Sequence, residues 1–189
     1  MPSPHTRSHP RPFPGWSWVA VAFAFPIAGY VGWKIGGPVD TVAAAFIGGG
    51  ITAAGLAAVQ WWAAKGTLGR PASWIGSGAA GYAVGLAAGA ALVGYDTDLG
   101  SLVLMGLISG LPLGIAQGWV LARQDRRRLA AAWAAAMPIL FGLGWIPSTA
   151  IGVSVDEQFT VFGAAGAVLF MALSGLLVAR FADSSARAA

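Results

Sequence analysis

Two pairs of carboxylates are the residues of this sequence best suited to acid–base chemistry. Asp96 and Asp98 stand in the stretch GYDTDLG, and Asp156 and Glu157 stand in SVDEQF. A carboxylate near a reacting atom can transfer protons, and neighbouring carboxylates can hold a divalent cation. Each pair lies in a short loop without a histidine or a third ligand. We therefore expect solvated side chains at helix ends, with Asp98 or Asp156 capping the following helix, and a lipid-active enzyme as the alternative.

The other reactive residue types predict no catalytic, metal or cofactor site. His5 and His9 have the four-residue spacing of a metal pair on a helix, but three prolines in the same tail disfavour that helix. The chain has no cysteine, so thiolate, disulfide and cysteine-ligated metal chemistry are excluded. It also contains no G-x-S-x-G, H-E-x-x-H or Walker motif. The sequence predicts a non-enzymatic protein without a bound cofactor.

Three neutral polar residues in apolar surroundings are the candidates for buried polar positions. Gln60, Gln117 and Ser174 follow one another at intervals of 57 residues, and each lies near the end of an apolar run. A serine hydroxyl can bond to its own helix, whereas a glutamine amide has donors and an acceptor that its own backbone does not satisfy. We expect the two glutamines to reach the membrane surface or to bond to a neighbouring helix.

Composition places these residues in a membrane protein. Hydrophobic residues make up 57% of the 189-residue chain and charged residues only 10%, and apolar runs occupy most of its length. About 20 apolar residues cross the hydrocarbon core as a helix, which satisfies its own backbone in lipid. The predicted six-helix membrane domain covers 15–181, between a disordered, Pro-rich basic tail at 1–14 and a tail at 182–189. Its helices are predicted at about 15–34, 41–64, 74–94, 99–122, 129–152 and 159–180.

The basic residues predict the orientation of the chain. With both termini in the cytoplasm, ten basic residues lie on the cytoplasmic side and only Lys34 lies outside. This asymmetry follows the positive-inside rule and predicts a multi-pass protein of a bacterial cytoplasmic membrane. It also explains the net charge of +4 without a nucleic-acid partner. The ten residues are Arg7, Arg11, Lys65, Arg70, Arg123, Arg126, Arg127, Arg128, Arg180 and Arg187.

Tryptophans concentrate at the same predicted side of the membrane. An indole ring prefers the headgroup level, where the ring is in apolar surroundings and its N–H stays hydrated. We therefore expect a belt of tryptophans at the cytoplasmic helix ends. Its members are Trp16, Trp18, Trp61, Trp62, Trp74, Trp119 and Trp133.

The sequence also indicates an internal repeat of one helical hairpin. The polar series described above repeats on the even-numbered helices. On the odd-numbered helices a tryptophan precedes a glycine by eleven positions three times, as Trp18 and Gly29, Trp74 and Gly85, and Trp133 and Gly144. Three tandem hairpin repeats are predicted, at about 15–64, 74–122 and 129–180. One hairpin cannot enclose a bundle interior but three can, so the predicted fold is an all-α bundle of six transmembrane helices.

Two further sets of residues have predicted roles on the helix surfaces. Glycines at every fourth position permit close helix approach in lipid, within the bundle or, as the alternative, in a homo-oligomer. These are Gly81, Gly85 and Gly89 on the third predicted helix and Gly106, Gly110, Gly114 and Gly118 on the fourth. Arginines after the fourth helix are predicted to contact anionic lipids at the cytoplasmic face, in preference to an acidic protein partner. They are Arg123, Arg126, Arg127 and Arg128.

The stretch 114–145 resembles a motif of uncharacterised bacterial multi-pass membrane proteins, a group with no assigned activity. In that motif a glycine-rich helix ends in Gln-Trp, a short basic loop follows, and the next helix opens with tryptophan. The resemblance covers about a sixth of the chain and rests on Gly114, Gln117, Trp119, Arg123 and Trp133. This sequence departs from the motif by placing Gly118 between the glutamine and the tryptophan. The resemblance implies a membrane bundle and carries over no site residues.

Ionisable residues are absent from the middle of every predicted span, which narrows the possible functions. Proton relays, ion sites and pathways for charged substrates depend on such residues. The first hypothesis is a non-enzymatic integral membrane protein that serves as an interaction, scaffold or accessory subunit, through a membrane-protein partner or a homo-oligomer. The alternatives are a channel or carrier for a neutral or apolar solute and a lipid-active enzyme that uses the outer-loop carboxylates.

Overall fold

The computed structural model describes residues 15–64 and 67–186, with side chains for 16–64 and 67–181. The predicted tail 1–14, which holds both histidines, lies outside the described residues, as do Lys65 and Arg187. The described part contains helices, two short 3-10 turns and no strand. The helices are α1 Gly15–Ala20, α2 Ala24–Gly36, α3 Val42–Ala63, α4 Pro71–Leu92, α5 Leu99–Ala122, α6 Arg127–Ala150 and α7 Ala164–Ala186.

Six helical segments are long and apolar enough to cross a membrane, which confirms the all-α class and the predicted number of spans. The first span, Trp16–Gly36, consists of α1 and α2 joined by a 3-10 turn at Val21–Phe23. Pro26 follows this turn. Because proline has no N–H and its ring clashes with the carbonyl four residues earlier, the regular helix is interrupted at this point. The other five spans are α3, α4, α5, α6 and the first 18 residues of α7.

The spans form a closed ring in chain order. Each span packs against the next, and α7 also packs against α1 and the first 3-10 turn. The end that holds the α3–α4 and α5–α6 connections is termed the basic end after its arginines. The end that holds the other connections is termed the acidic end after its carboxylates, which are Asp40, Asp96, Asp98, Asp156 and Glu157.

The last span begins later than the sequence predicts. The helix expected from residue 159 starts at Ala164, and the segment 158–163 is not helical. Residues 160–162 turn into the bundle and are buried there. Their backbone finds partners in other spans, as when the Tyr82 hydroxyl donates to the Thr160 carbonyl at 2.6 Å. An apolar segment that satisfies its backbone in this way does not need to be helical.

Glycines lie where neighbouring spans approach closely. At each of the seven predicted packing glycines, an added Cβ atom would lie 3.0 Å or less from a backbone atom of the adjacent span. Gly81, Gly85 and Gly89 of α4 face α5 in this way, and Gly106, Gly110, Gly114 and Gly118 of α5 face α6. At Gly110 the added atom would lie 2.5 Å from the Met137 carbonyl oxygen. These contacts are made within one chain.

Candidate functional site

The carboxylate of Asp98 acts as a helix cap. It precedes α5, and its Oδ1 accepts hydrogen bonds from Gly100 N at 2.7 Å and Ser101 N at 3.1 Å. The Ser101 hydroxyl donates to Asp98 Oδ2 at 2.5 Å. These donors, with the Ser101 hydroxyl first, hold the pKa of Asp98 below its usual value because they favour the charged carboxylate. A carboxylate that is held ionised in this way is a poor proton donor at neutral pH.

The remaining carboxylates of the predicted pairs have local partners or face solvent. Asp96 Oδ1 accepts from Thr97 N at 2.7 Å and from Asp98 N at 3.3 Å, which forms a turn before α5. Asp156 and Glu157 are exposed in the 3-10 turn Val155–Glu157. No group of three or more acidic or histidine residues in the described part lies together as a metal site would require. The structure therefore joins neither pair to a third ligand.

Three of the tryptophans predicted to form a surface belt lie in the core instead. Trp18, Trp74 and Trp133 are fully buried near the basic end. The Trp133 ring centroid lies 5.6 Å from that of Trp74 and 6.4 Å from that of Trp18, in the tilted and edge-on arrangements that aromatic pairs favour. The belt prediction was wrong for these three because their rings pack together inside the bundle, where the N–H groups of Trp18 and Trp133 also find acceptors. Exposed tryptophans at this end are Trp16, Trp62 and Trp119.

Two of the buried indoles bond to the polar side chains singled out in the sequence. Trp133 Nε1 donates to Gln117 Oε1 at 3.0 Å, and Trp18 Nε1 donates to Ser174 Oγ at 3.1 Å. Both acceptor residues are buried. A buried polar group that loses its partner costs about 1–3 kcal/mol, so these bonds favour one arrangement of α5 against α6 and of α7 against α1.

The third polar position, Gln60, makes a weaker contact. Its Nε2 donates to Met171 Sδ at 3.9 Å, and a thioether sulfur is a weak acceptor. On the adjacent span, the buried Trp74 Nε1 has no hydrogen-bond acceptor among the described residues. The helices α3 and α4 are neighbours. Gln60, which has only a weak hydrogen bond, and Trp74, whose indole has no acceptor, thus lie on adjacent spans.

A second polar cluster lies nearer the acidic end and was not predicted from the sequence. The hydroxyl oxygens of Thr52 and Thr160 are 2.7 Å apart, and both residues are fully buried. Thr160 Oγ1 also donates to the Gly29 carbonyl at 3.2 Å, and the Tyr82 hydroxyl bonds to the Thr160 backbone. The cluster ties the segment 158–163 to α2, α3 and α4. Threonine hydroxyls commonly bond to their own helix, so sequence alone does not distinguish Thr52 from other hydroxyl residues.

The centre of the bundle is filled by side chains. A cavity of about 20 Å³ lies there, with Gln60, Gln117 and Tyr82 among its lining residues. This volume holds about one water molecule. Aromatic rings close the space around it, with centroids 5.1 Å apart for Tyr82 and Phe141 and 5.0 Å apart for Phe141 and Phe170.

A larger cavity opens on the flank of the bundle. It has a volume of about 350 Å³ and lies between α2, the end of α6 and the residues that lead into α7. We term it the lateral groove. Its walls include the aromatic side chains of Tyr30, Trp145, Phe159 and Phe162. Pro26, which also lines the groove, is exposed near the middle of the first span, and Val153 and Val155 line it in the connection at the acidic end, so the groove extends along the flank of the ring as far as that end.

The arginines at the basic end have different surroundings. The Arg123 guanidinium lies over the Trp119 ring, 4.2 Å from its centroid. Arg126 Nη1 donates at 2.7 Å to a backbone carbonyl of the α3–α4 connection. Arg127 and Arg128 are exposed at the start of α6. The four arginines predicted to contact lipid are therefore not equivalent.

Comparison with known protein families, with curated proteins and with solved structures finds no match to this chain. No activity, ligand or partner is therefore transferred to it from another protein. The packing and the polar contacts of the chain itself are the basis on which its function is inferred.

Proposed function

We propose that this chain is a non-enzymatic, multi-pass protein of a bacterial cytoplasmic membrane that serves as an interaction, scaffold or accessory subunit of a membrane complex. The observation that supports this most directly is the lateral groove, which is an apolar recess on the flank of a bundle whose centre is filled. A recess on the flank can receive part of another membrane protein, and that role requires no interior pathway.

The lining of the lateral groove suits a helix of another membrane protein. Gly163 and Ala164 add little side-chain bulk to its walls, and helices in lipid associate where small residues permit close approach. The rings of Tyr30 and Phe159 add contact area beside them. Small residues matter more to a helix, whose backbone has to approach closely, than to a flexible lipid tail. The occupant that we propose is an apolar transmembrane helix of a different protein.

The alternative functions have less support from the geometry. A transport pathway along the axis of the ring would pass through the central cavity of about 20 Å³, whose aromatic walls would have to separate to admit a solute. A lipid-active enzyme would need a carboxylate available for proton transfer near a second functional group. Asp98 is instead held as a helix cap, and Asp156 and Glu157 stand in an exposed turn.

Photo-crosslinking from the lateral groove tests the proposal. With a photoreactive phenylalanine analogue in place of Tyr30, the full-length protein in native membranes is expected to give one protein adduct of defined mass. The matched position is Ile139, which is exposed on α6 and is not among the residues that line the groove. The same analogue at Ile139 is expected to give lipid adducts, because that side chain faces outward without a recess.

Filling the groove separates a specific contact from chance proximity. Ala164→Trp adds bulk at the groove wall and is expected to remove most of the Tyr30 adduct, whereas Ala88→Trp, on the exposed face of α4, is expected to leave it unchanged. The same adducts from Tyr30 and Ile139, or a Tyr30 adduct that survives Ala164→Trp, would contradict the proposal. An adduct with twice the mass of the chain would show that a second copy of this protein, and not a different protein, occupies the groove.

We also infer that the bundle consists of three tandem hairpins with approximate threefold character. The Trp133–Gln117 contact and the Trp18–Ser174 contact each join an even-numbered span to the next span around the ring. The corresponding residues on the second and third spans are Gln60 and Trp74, which share no hydrogen bond in the structure, so two of the three expected contacts are present. The 57-residue spacing of the polar series supports the same division. The excess of arginine at the basic end supports a cytoplasmic location for that end and for both termini.

Indole N–H resonances test the repeat. If Gln60 accepts a hydrogen bond from Trp74, the Trp74 indole proton in isotope-labelled protein should resist hydrogen exchange as the Trp133 proton does. Gln60→Leu is then expected to shift the Trp74 resonance and to speed its exchange, and Gln117→Leu is expected to do the same to Trp133. A rapidly exchanging Trp74 proton that does not respond to Gln60→Leu would exclude a third equivalent pair.

A further inference from the structure

A cleft at the basic end lies between the start of α4 and the end of α5. Its volume is about 300 Å³. We term it the basic cleft, because two of its walls carry arginines from different connections of the chain. Its lining residues are Arg70, Ser73, Trp119, Val120, Arg123 and Gln124.

Arg123 is positioned within the basic cleft before any ligand binds. Its guanidinium lies over the Trp119 ring at 4.2 Å from the centroid. Stacking of this kind orients the planar group and leaves its N–H donors available at the edge. Beside it, Gln124 Nε2 donates to the Val120 carbonyl at 3.1 Å, which holds the amide against the end of α5.

Arg70 stands on the other wall, at the end of a connection that is held by hydrogen bonds. Trp61 Nε1 donates to the Gly69 carbonyl at 2.7 Å, and Arg126 Nη1 donates to the Thr67 carbonyl at 2.7 Å. Gly69 has a φ of 86°, a value that favours glycine over other residues. These contacts fix the connection, and with it the wall of the cleft that Arg70 forms.

The two arginines of the basic cleft are not neutralised by an ion pair among the described residues, although Asp125 lies in the same connection as Arg123. The start of α4 has Pro71 in its first turn and no side-chain cap, so its first backbone N–H groups lie uncapped next to the Ser73 hydroxyl. Guanidinium groups, a hydroxyl and uncapped helix amides are the donors that bind phosphate in proteins.

We propose that the basic cleft binds the phosphate headgroup of one anionic phospholipid. The two guanidinium groups offer paired N–H donors to phosphate oxygens, and the Ser73 hydroxyl adds another donor. Trp119 is 58% exposed beside them, and Ile115 is exposed one turn deeper on the same face of α5. With its phosphate bound in the cleft, a lipid would extend its acyl chains along these two apolar side chains, toward the middle of the span. A soluble phosphate would use the charges alone.

Such a site differs from the general attraction of an arginine run to a negatively charged membrane. Arg127 and Arg128 belong to the same run but do not line the cleft. They therefore provide a control pair of equal charge at the same end of the bundle. The inference rests on the proposed membrane location of the chain, but it does not depend on a protein partner in the lateral groove.

Lipid titration of the full-length protein tests the site. The protein in neutral detergent is titrated with phosphatidylglycerol or with phosphatidylcholine, and bound lipids are counted by native mass spectrometry. We expect the unmodified chain to retain one phosphatidylglycerol in preference to phosphatidylcholine. Arg70→Gln combined with Arg123→Gln is expected to weaken this binding about 30-fold. Arg127→Gln combined with Arg128→Gln is expected to weaken it about threefold or less, because exposed charges are screened by salt.

Three outcomes would overturn the proposal. Equal weakening by the two pairs of substitutions would show that diffuse charge explains the binding. Displacement of phosphatidylglycerol by inorganic phosphate at equal concentration would assign the cleft to a soluble ligand. A second variant serves if the glutamine variant does not fold, as judged by circular dichroism. Arg70→Lys combined with Arg123→Lys keeps both charges but loses the paired donors, so we expect it to weaken binding about fivefold. Unchanged affinity in this lysine variant is the third outcome that would overturn the proposal.

The two proposals fail separately. Crosslinking from Tyr30 reports on the lateral groove, and we expect substitutions of Arg70 and Arg123 to leave it unchanged because these residues lie at the basic end. Loss of lipid binding with intact crosslinking therefore isolates the basic cleft. A chain that does not partition into membranes at all would instead remove the proposed location, and with it the source of the lipid.

Discussion

Gly110→Val is expected to lower the free energy of unfolding by about 3 kcal/mol, at the upper end of the usual cost of overpacking. The added Cβ atom would lie 2.5 Å from the Met137 carbonyl oxygen and 2.6 Å from Pro138 Cα. Both are backbone atoms, so no change of rotamer relieves the overlap and α5 must move away from α6. Steric trapping in bicelles measures the free energy, and the thermal midpoint in detergent should fall with it.

Gly76→Val is the matched control for this prediction. Gly76 also lies in a span, on α4, but an added Cβ atom there would have no atom within 4 Å apart from its chain neighbours and the backbone of its own helix. The substitution changes helix propensity as it does at Gly110 and adds no overlap, so we expect a change within about 0.5 kcal/mol. If Gly110→Val were as stable as the unmodified chain, α5 and α6 would not pack this closely. Equal losses at the two positions would point to helix propensity rather than to packing.

The spans are the part of the fold that composition predicts well. α5 has the predicted bounds 99–122, and α3, α4 and α6 begin and end within three residues of theirs. The physical reason is that lipid offers the backbone no hydrogen-bond partner, so a sufficiently long apolar run in lipid has to be helical. Charged residues mark the ends of the spans because they are costly within the hydrocarbon core.

The start of the last span shows where composition is insufficient. The segment 158–163 contains apolar residues and continues the hydropathy of α7, yet it folds into the bundle without forming a helix. Its Thr160 carbonyl accepts from Tyr82, and its Thr160 hydroxyl meets that of Thr52. Whether an apolar segment faces lipid or protein depends on how six spans pack, and a hydropathy pattern does not contain that information.

The polar residues of the candidate site could be selected from the sequence, but their partners could not. Gln117 and Ser174 are unusual in apolar runs, whereas tryptophans near span ends are usual in any membrane protein. In this chain the spacing to a glycine distinguishes the buried tryptophans from the exposed ones. Each of the buried residues Trp18, Trp74 and Trp133 precedes a glycine by eleven positions, and none of the exposed residues Trp16, Trp62 and Trp119 does. This register is the signal that could have placed the three tryptophans in the core.

Trp133→Ala is expected to lower the free energy of unfolding by about 3–5 kcal/mol, the range for truncating a large buried aromatic side chain. The Trp133 side chain is fully buried, and its ring packs against those of Trp18 and Trp74. Truncation leaves a cavity where three spans meet and removes the donor that pairs with Gln117 Oε1. Thermal unfolding followed by the fluorescence of the other tryptophans, together with steric trapping, measures the loss.

Two further substitutions divide this loss into its causes. Trp62→Ala removes the same side chain from a position that is 73% exposed, and we expect a cost of about 0.5 kcal/mol or less because lipid replaces the lost contacts. Trp133→Phe keeps an aromatic ring but removes the N–H, so we expect about 1–2 kcal/mol for the unpaired Gln117 oxygen. If Trp133→Ala cost no more than Trp62→Ala, the Trp133 indole would lie at the membrane surface as a belt residue. A cost for Trp133→Phe equal to that for Trp133→Ala would assign the stability to the hydrogen bond, because the phenyl ring preserves most of the packing.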